Sequence, residues 1–140
     1  MGKFAIIVDD TPDVPAIVNY DLYAGATFNR KFEILSDYKS GTETGDPVDL
    51  RPYLIRMQGR VSPSDSHTFF DFEKPVNESV ATGISVSGDN HNDLTISISP
   101  AITKLFRDRQ ITTDLRIELE GSVKFWLRII IQSTDTTTRE

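Results

Sequence analysis

Cysteine is absent from the chain, Trp occurs once, and His and Met occur twice each. Without cysteine there is no disulfide, no thiolate metal site and no thiol nucleophile. Positive charge is also scarce, with 15 Lys and Arg against 21 Asp and Glu and a net charge of −6. That balance excludes the basic face by which a protein displaces counterions from nucleic-acid phosphates. It also leaves no polybasic patch for an anionic membrane. No run approaches the roughly 20 apolar residues of a membrane span. The N-terminal apolar run, Phe4-Ala5-Ile6-Ile7-Val8, is shorter than the core of about 7–15 residues in a signal peptide, so synthesis in a cytosol is expected.

What the chain has in quantity is β-branching. Ile, Val and Thr number 14, 9 and 14, while the stronger helix formers Ala and Leu number only 6 and 9. A branched Cβ restricts χ1 and suits a pleated surface better than a helix. A mostly β protein is expected. At 140 residues the chain fits one domain and buries roughly 70% of its unfolded surface without a covalent staple.

Residues 1–15 read as an extended N-terminal arm. The apolar run is followed by Asp9-Asp10-Thr11-Pro12-Asp13-Val14-Pro15, whose prolines oppose regular structure. One reading is a frayed terminus; the other is that Phe4, Ile6, Ile7 and Val8 add as a strand to a neighbouring subunit's sheet edge, because such a run left in water is an aggregation hazard. From Ala16 the strands begin. Residues 16–23 are followed by 27–35, where Phe28, Phe32 and Ile34 share a face with Arg30. A Gly-, Ser- and Asp-rich loop spans 37–49. Over 53–61, Tyr53, Ile55, Met57 and Val61 alternate with Arg56, Gln58 and Arg60, the period of a half-buried strand. Further strands are expected at 67–72, 83–87 and from Leu94 to Ile98.

Ser99-Pro100 reads as a helix N-cap with proline in the first turn. Ile102, Leu105 and Phe106 then supply a helical stripe. Two long strands meet at Gly121 and Ser122. In the second, Val123, Phe125, Leu127, Ile129 and Ile131 take one face, and Trp126 and Ile130 stand on the other between Lys124 and Arg128. A strand apolar on both faces is central or covered by a partner. Residues 132–140 are nearly all polar and are expected to form a mobile C-terminal tail. The pattern of seven or eight strands predicts an all-β fold. It is a single antiparallel β-sandwich, immunoglobulin-like or jelly-roll-like, over residues 16–131 with one short helix.

Candidate chemistry is sparse. Gly88-Asp89-Asn90-His91-Asn92-Asp93 gathers polar ligands, and Asp89, His91 and Asp93 have a spacing that could wrap a hard cation. A calcium loop starting at Asp89 would need Gly and Glu where Leu94 and Pro100 stand, so a hairpin turn is expected and no metal. His67 and His91 fall in separate loops. Ser36-Asp37-Tyr38-Lys39 matches the Ser-x-x-Lys of penicillin-recognising enzymes without its partner motifs. Asn77-Glu78-Ser79 is a glycosylation acceptor in form only, without a secretory signal. Trp126 with Tyr53 or Tyr23 could form a sugar-stacking platform. No catalytic constellation and no cofactor motif emerges.

Four segments carry a family resemblance. They are Tyr20-Asp21-Leu22-Tyr23-Ala24-Gly25-Ala26-Thr27-Phe28; Gly45-Asp46-Pro47-Val48-Asp49-Leu50 running to Ile55-Arg56-Met57-Gln58-Gly59-Arg60; Leu94-Thr95-Ile96-Ser97-Ile98-Ser99 with Thr103 and Leu105; and Asp114-Leu115-Arg116-Ile117-Glu118-Leu119 with Gly121 and Val123. In this order the chain resembles virion structural proteins of tailed bacteriophages, and is similar to the N-terminal domain of siphophage baseplate upper proteins, over roughly residues 16–131. It departs from the pattern in its closing hairpin, where Thr113 precedes Asp114 and residues 125–131 are bulky throughout. It also lacks the receptor-binding extension of some relatives, which favours a small structural subunit.

The resemblance implies a non-enzymatic component of the tail, baseplate or neck, made in the host bacterial cytoplasm and incorporated into the virion. Its expected partners are other virion proteins and copies of itself in a homo-oligomer, with no nucleic acid, membrane or cofactor. Phe4, Ile6, Ile7, Val8, Trp126 and Ile130 are the expected contact residues. The alternative is a carbohydrate- or host-receptor-binding module of a phage or bacterial surface protein, using the 37–49 and 88–93 loops.

Overall fold

Alternation of apolar and polar side chains decides which side of each strand faces inward. In the computed structural model, which describes residues 4–7, 16–35, 47–62, 64 and 66–135, with the side chains of 4–7, 16 and 122–126 left aside, ten strands are paired into two five-stranded sheets. They are β1 (Phe4–Ile7), β2 (Ala16–Tyr23), β3 (Phe28–Leu35), β4 (Leu54–Arg60), β5 (Phe70–Lys74), β6 (Val80–Ala81), β7 (Ile84–Ser87), β8 (Asp93–Ile98), β9 (Gln110–Leu119) and β10 (Ser122–Thr134). One sheet runs β1-β3-β8-β7-β6 and the other β2-β10-β9-β4-β5. The all-β sandwich is thus present, with two strands, β1 and β6, beyond the eight legible in the alternation.

Most pairings are antiparallel. β1 runs parallel to β3, and β2 parallel to β10 with Val18 opposite Ile129. The central trios β3-β8-β7 and β10-β9-β4 give the B-E-D and G-F-C layers of an immunoglobulin-like sandwich rather than a jelly roll. That fold in antibodies is pinned by an inter-sheet disulfide. Here the centre is entirely side-chain packing. Phe28, Phe32, Leu94, Ile96 and Ile98 from one sheet, and Ile55, Met57, Leu115, Ile129 and Ile131 from the other, lose essentially all contact with solvent. Each such residue contributes about 1.5–3 kcal/mol relative to exposure.

The β9–β10 hairpin turns on Glu120 and Gly121, both at positive φ (52° and 83°), as the two-residue type I′ turn requires. β10 then runs to Thr134, because Gln132, Ser133 and Thr134 pair with Asp21, Leu22 and Tyr23. The strand thus runs past the boundary expected at residue 132, and residues 136–140 lie outside the described chain.

Ser99 is the N-cap with Pro100 opening the helix, as expected; its side chain makes no cap hydrogen bond, and its carbonyl accepts from the Ile102 and Thr103 N–H groups at 3.1 and 3.0 Å. Two local expectations are corrected. The helix α1 (Pro100–Thr103) tightens at once into a 3₁₀ turn (Lys104–Phe106), whose threefold repeat leaves Leu105 54% exposed. Thr103 is buried in its stead, its Oγ1 donating to the Ala26 carbonyl at 2.7 Å. Val61 is exposed, because β4 ends at Arg60.

Candidate functional site

Two surfaces merit description: the outer face of the β2-β10-β9-β4-β5 sheet, and the loops at one end of the sandwich. On the outer face the register lays residues out in rows. Ile17, Arg128, Asp114, Gln58 and Asp71 form one row; Trp126, Arg116, Arg56 and Glu73 form the next; Asn19, Ile130, Thr112 and Arg60 flank the first on its other side. Side chains directly opposite or diagonal across strands interact, so these rows are contact neighbourhoods.

Most charges on this face are satisfied by one another. Arg128 donates from Nε and Nη2 to the two Asp114 oxygens at 2.7 and 3.2 Å, and the carboxylate holds the guanidinium pKa up. Gln58 donates to Asp71 at 3.0 Å and accepts from Arg60 at 2.7 Å. Arg56 stands 3.7 Å from Glu73. A shallow polar depression of about 180 Å³ lies among Arg56, Gln58, Arg60, Asp114, Arg116 and Glu118. Its three guanidinium groups stand among two carboxylates, so it offers hydrogen bonds and only a small excess of positive charge.

Toward β2 the same face mixes exposed apolar side chains with the polar Asn19 and Asp21. Ile17 is 55% exposed, Ile130 is half-buried two positions along on β10, and Tyr23 at the far end of β2 is 65% exposed. Of the expected contact residues, Ile130 is therefore placed on this outer face. Trp126 lies opposite Arg116 in register, though its side chain, like those of Phe4, Ile6 and Ile7, lies outside the described part. Val8 is outside it altogether. The backbone of β1 sits against β3 of its own chain, at the sheet edge, with Phe4 opposite Phe32 and Ile7 opposite Leu35.

Ile17 was not singled out in the sequence. The alternation of Ile17, Asn19, Asp21 and Tyr23 with Val18, Tyr20 and Leu22 was visible, but nothing local says which set faces out. The inward set packs. Val18 and Leu22 are buried, and the Tyr20 ring meets Phe28 edge-on at 5.4 Å between centroids. The Arg30 guanidinium covers Tyr20 and Phe28 at 5.0 and 5.4 Å, which accounts for an arginine on an inward-facing strand position. Burial raises the Tyr20 hydroxyl pKa, and the nearby Arg30 charge opposes it.

At the end of the sandwich, Pro47, Asp49, Arg51, Asp89, Asn90 and His91 line an open cleft of about 380 Å³. The Leu50 N–H donates to the His91 carbonyl at 2.9 Å and ties the two loops together. Asp49 Oδ1 accepts from the Arg51 backbone N–H and Nε, both at 3.0 Å, and Oδ2 accepts from Nη2 at 2.6 Å. These bonds favour the charged form and hold the Asp49 carboxyl at a pKa of about 2. The stabilisation they give is present above the ordinary carboxylate pKa and is lost as pH falls through the value of about 2. An NMR titration of Asp49 should give that low midpoint, and Arg51→Ala should raise it only part of the way toward 3.8, because the backbone N–H of residue 51 still donates to Oδ1.

Asp89, His91 and Asp93 are not gathered into a cation site. Asp93 is buried with its carboxylate turned toward Gly88, whereas Asp89 is exposed. Among the described residues no three His, Asp or Glu groups converge as metal ligands. The loop's work is structural. Asn92 is buried, its carbonyl accepting from the Ile34 N–H at 2.9 Å and its Nδ2 donating to the Ile34 carbonyl at 3.0 Å. His67 packs edge-on against Phe69. Ser36 to Lys39 lie outside the described residues. The sugar platform is not assembled. Tyr53 is half-buried against the core, and Tyr23 pairs with Thr134, eight residues and roughly 26 Å along β10 from Trp126.

No family model matches the chain, nor does any curated protein. Among solved structures, the N-terminal domain of phage TP901-1 ORF48 aligns over 96% of this chain and 99% of its own, at 10% identity and a TM-score of 0.48. The NK cell receptor NKp44 aligns over 86% of this chain and 99% of its own, at 12% identity and a TM-score of 0.45. Murine CRIg aligns over 91% and 98%, at 16% identity and a TM-score of 0.37. These are likenesses of shape, and no residue role is carried over from them.

Proposed function

We infer that this chain is a non-enzymatic structural component of a tailed-phage virion, in the tail, baseplate or neck. It works through contacts with copies of itself and with other virion proteins, and is made in the host bacterial cytoplasm. The four-segment resemblance over residues 16–131 supports the class of protein. The observation that carries the mode of action is the exposed apolar residues of the edge strand on the outer face, Ile17 diagonal to Ile130 at one end and Tyr23 at the other, 55% and 65% exposed. Large apolar side chains held in solvent along an edge strand favour a contact surface there. Shape, a stable sandwich and such a surface suffice for assembly, with no titrating group required.

The test is to delete residues 1–10, replace Trp126 by Ser, and measure particle yield. Loss of one aromatic anchor costs about 2 kcal/mol or more, roughly thirtyfold in affinity, at each copy of the contact. Particle yield should collapse; assembly at normal yield overturns the reading.

One observation favours the alternative of a carbohydrate- or host-receptor-binding module, namely the convergence of residues 47–51 and 89–91 on one polar cleft. No aromatic residue lines it, and its Asp49–Arg51 fork already satisfies itself. A glycan array on the purified chain decides: the structural reading expects no signal. A signal abolished by Asn90→Ala establishes the other.

A further inference from the structure

The four sheet edges differ in how they are protected. β6 has two residues and β1 four. β5 has five, with Asp71 and Glu73 exposed on its outward face. Charge and brevity are the usual devices that keep an edge from pairing with another chain. β2 has neither. It is eight residues long, Ala16-Ile17-Val18-Asn19-Tyr20-Asp21-Leu22-Tyr23, with a single charge and no lysine, proline or glycine. Among the described residues it bonds to β10 on one side only. Outside that ladder its one further backbone bond among the described residues is the Ala26 N–H to the Tyr23 carbonyl at 3.0 Å.

We propose that β2 pairs antiparallel with β2 of a second copy of this chain, with Tyr20 on the twofold axis, joining two sandwiches through one continuous ten-stranded sheet. This deepens the reading above by naming one contact and its partner, and it rests on that reading only for its biological setting. The register follows from the strand's own side chains. Residues directly opposite in an antiparallel pair share a face. Placing Tyr20 opposite its twin sets Ile17 against Tyr23 and Asn19 against Asp21 on the outer face, and Val18 against Leu22 on the inner. Exposed aliphatic meets exposed aromatic, amide meets carboxylate, and apolar meets apolar.

The neighbouring face-preserving registers fail. A shift one way sets Ile17 against Asp21, and the other way sets Asp21 against its own twin, a like-charge pair. The chosen register also covers both exposed apolar residues of β2 at once. A C2 pairing is isologous and closed, so it ends at the dimer rather than growing into a fibre.

Sedimentation of the purified chain should show a species of twice 15.7 kDa. Added salt should favour it, because salt screens the repulsion between two chains of net charge −6. Ile17→Lys with Tyr23→Lys changes two exposed positions and should give a folded monomer that still unfolds cooperatively, with melting independent of protein concentration. Because the chain has no cysteine, Asn19→Cys with Asp21→Cys should form an intermolecular disulfide under mild oxidation, the paired Cα atoms lying about 4.5–5.5 Å apart. Asp71→Cys on the β5 edge should not cross-link.

A dimer that survives the lysine variant overturns the edge pairing, while other subunit contacts stand. A dimer lost in the lysine variant but never cross-linked at 19 and 21 overturns the register. A wild-type chain monomeric at high micromolar concentration overturns the proposal and leaves the particle-yield test to judge the wider reading on its own.

Discussion

Gly83→Ala should lower the unfolding free energy by about 3 kcal/mol, although it adds one methyl group. Gly83 closes the turn between β6 and β7 with φ at +83°, where an L side chain costs roughly 1–2 kcal/mol. A Cβ built there would also overlap the ring of Phe72. Phe72 has no room to yield, because it is buried and stacked on Phe70 at 4.9 Å between centroids. Overpacking of this kind costs typically 1–3 kcal/mol. Gly121→Ala separates the two contributions. Its φ is also +83°, but nothing lies within 4 Å of the added atom, so only the backbone cost of about 1 kcal/mol should appear. Urea unfolding of the two variants checks the difference, with an unchanged slope showing that the denatured state is not what moved.

Lys74→Met should cost a similar amount, about 3 kcal/mol and roughly 10 °C in Tm. Lys74 ends β5 on its inward side and has no solvent exposure. Its Nζ donates to the carbonyls of Arg51, Pro75 and Glu78 at 3.3, 2.9 and 2.8 Å. Methionine keeps the apolar stem but removes the donor: the Arg51 and Pro75 carbonyls keep the N–H groups of Asn77 and Glu78, while the Glu78 carbonyl loses its charged partner. That loss outweighs the relief of no longer burying a charge.

Burial lowers the Lys74 pKa, with the Glu78 and Asp49 charges opposing it. Between that lowered value and the ordinary 10.5 the unfolded chain binds more protons than the folded one, so stability rises with pH across the window. Wild-type protein should show that rise in calorimetry, and the Lys74→Met chain should lack it.

How far the strands were legible depends on their length. β3, β4, β8, β9 and β10 carry three or more alternations, and each was readable from spacing alone. β6, with two residues, has no period to read. β1 is a continuous apolar run whose place beside Phe32 to Leu35 depends on a chain segment some 28 positions away. Lys74 was unreadable for another reason: its neighbours Asp71 and Glu73 face out, and a lysine in phase with Phe70 and Phe72 can face inward only because three carbonyls converge where its stem ends.

The outer face was half legible. Trp126 and Ile130 stood out because they interrupt the polar phase of β10. Ile17 did not, although it lies diagonal to Ile130 at the sheet edge. Its neighbour in space is Arg128, more than a hundred positions away, and β2 alone does not say whether Ile17 or Val18 faces the core.

Composition and period alone determined that this chain is β-rich, acidic, free of thiols, and layered around Phe, Ile and Leu positions, because χ1 restriction and two-residue alternation act within a few residues. Tertiary structure decided the rest: the parallel union of β2 with β10, the immunoglobulin-like order of strands, the burial of Lys74, and the bare eight-residue edge with its exposed Ile17 and Tyr23. Those features arise from hydrogen bonds and packing between segments far apart in the chain, and no local pattern specifies which distant strand will supply the partner.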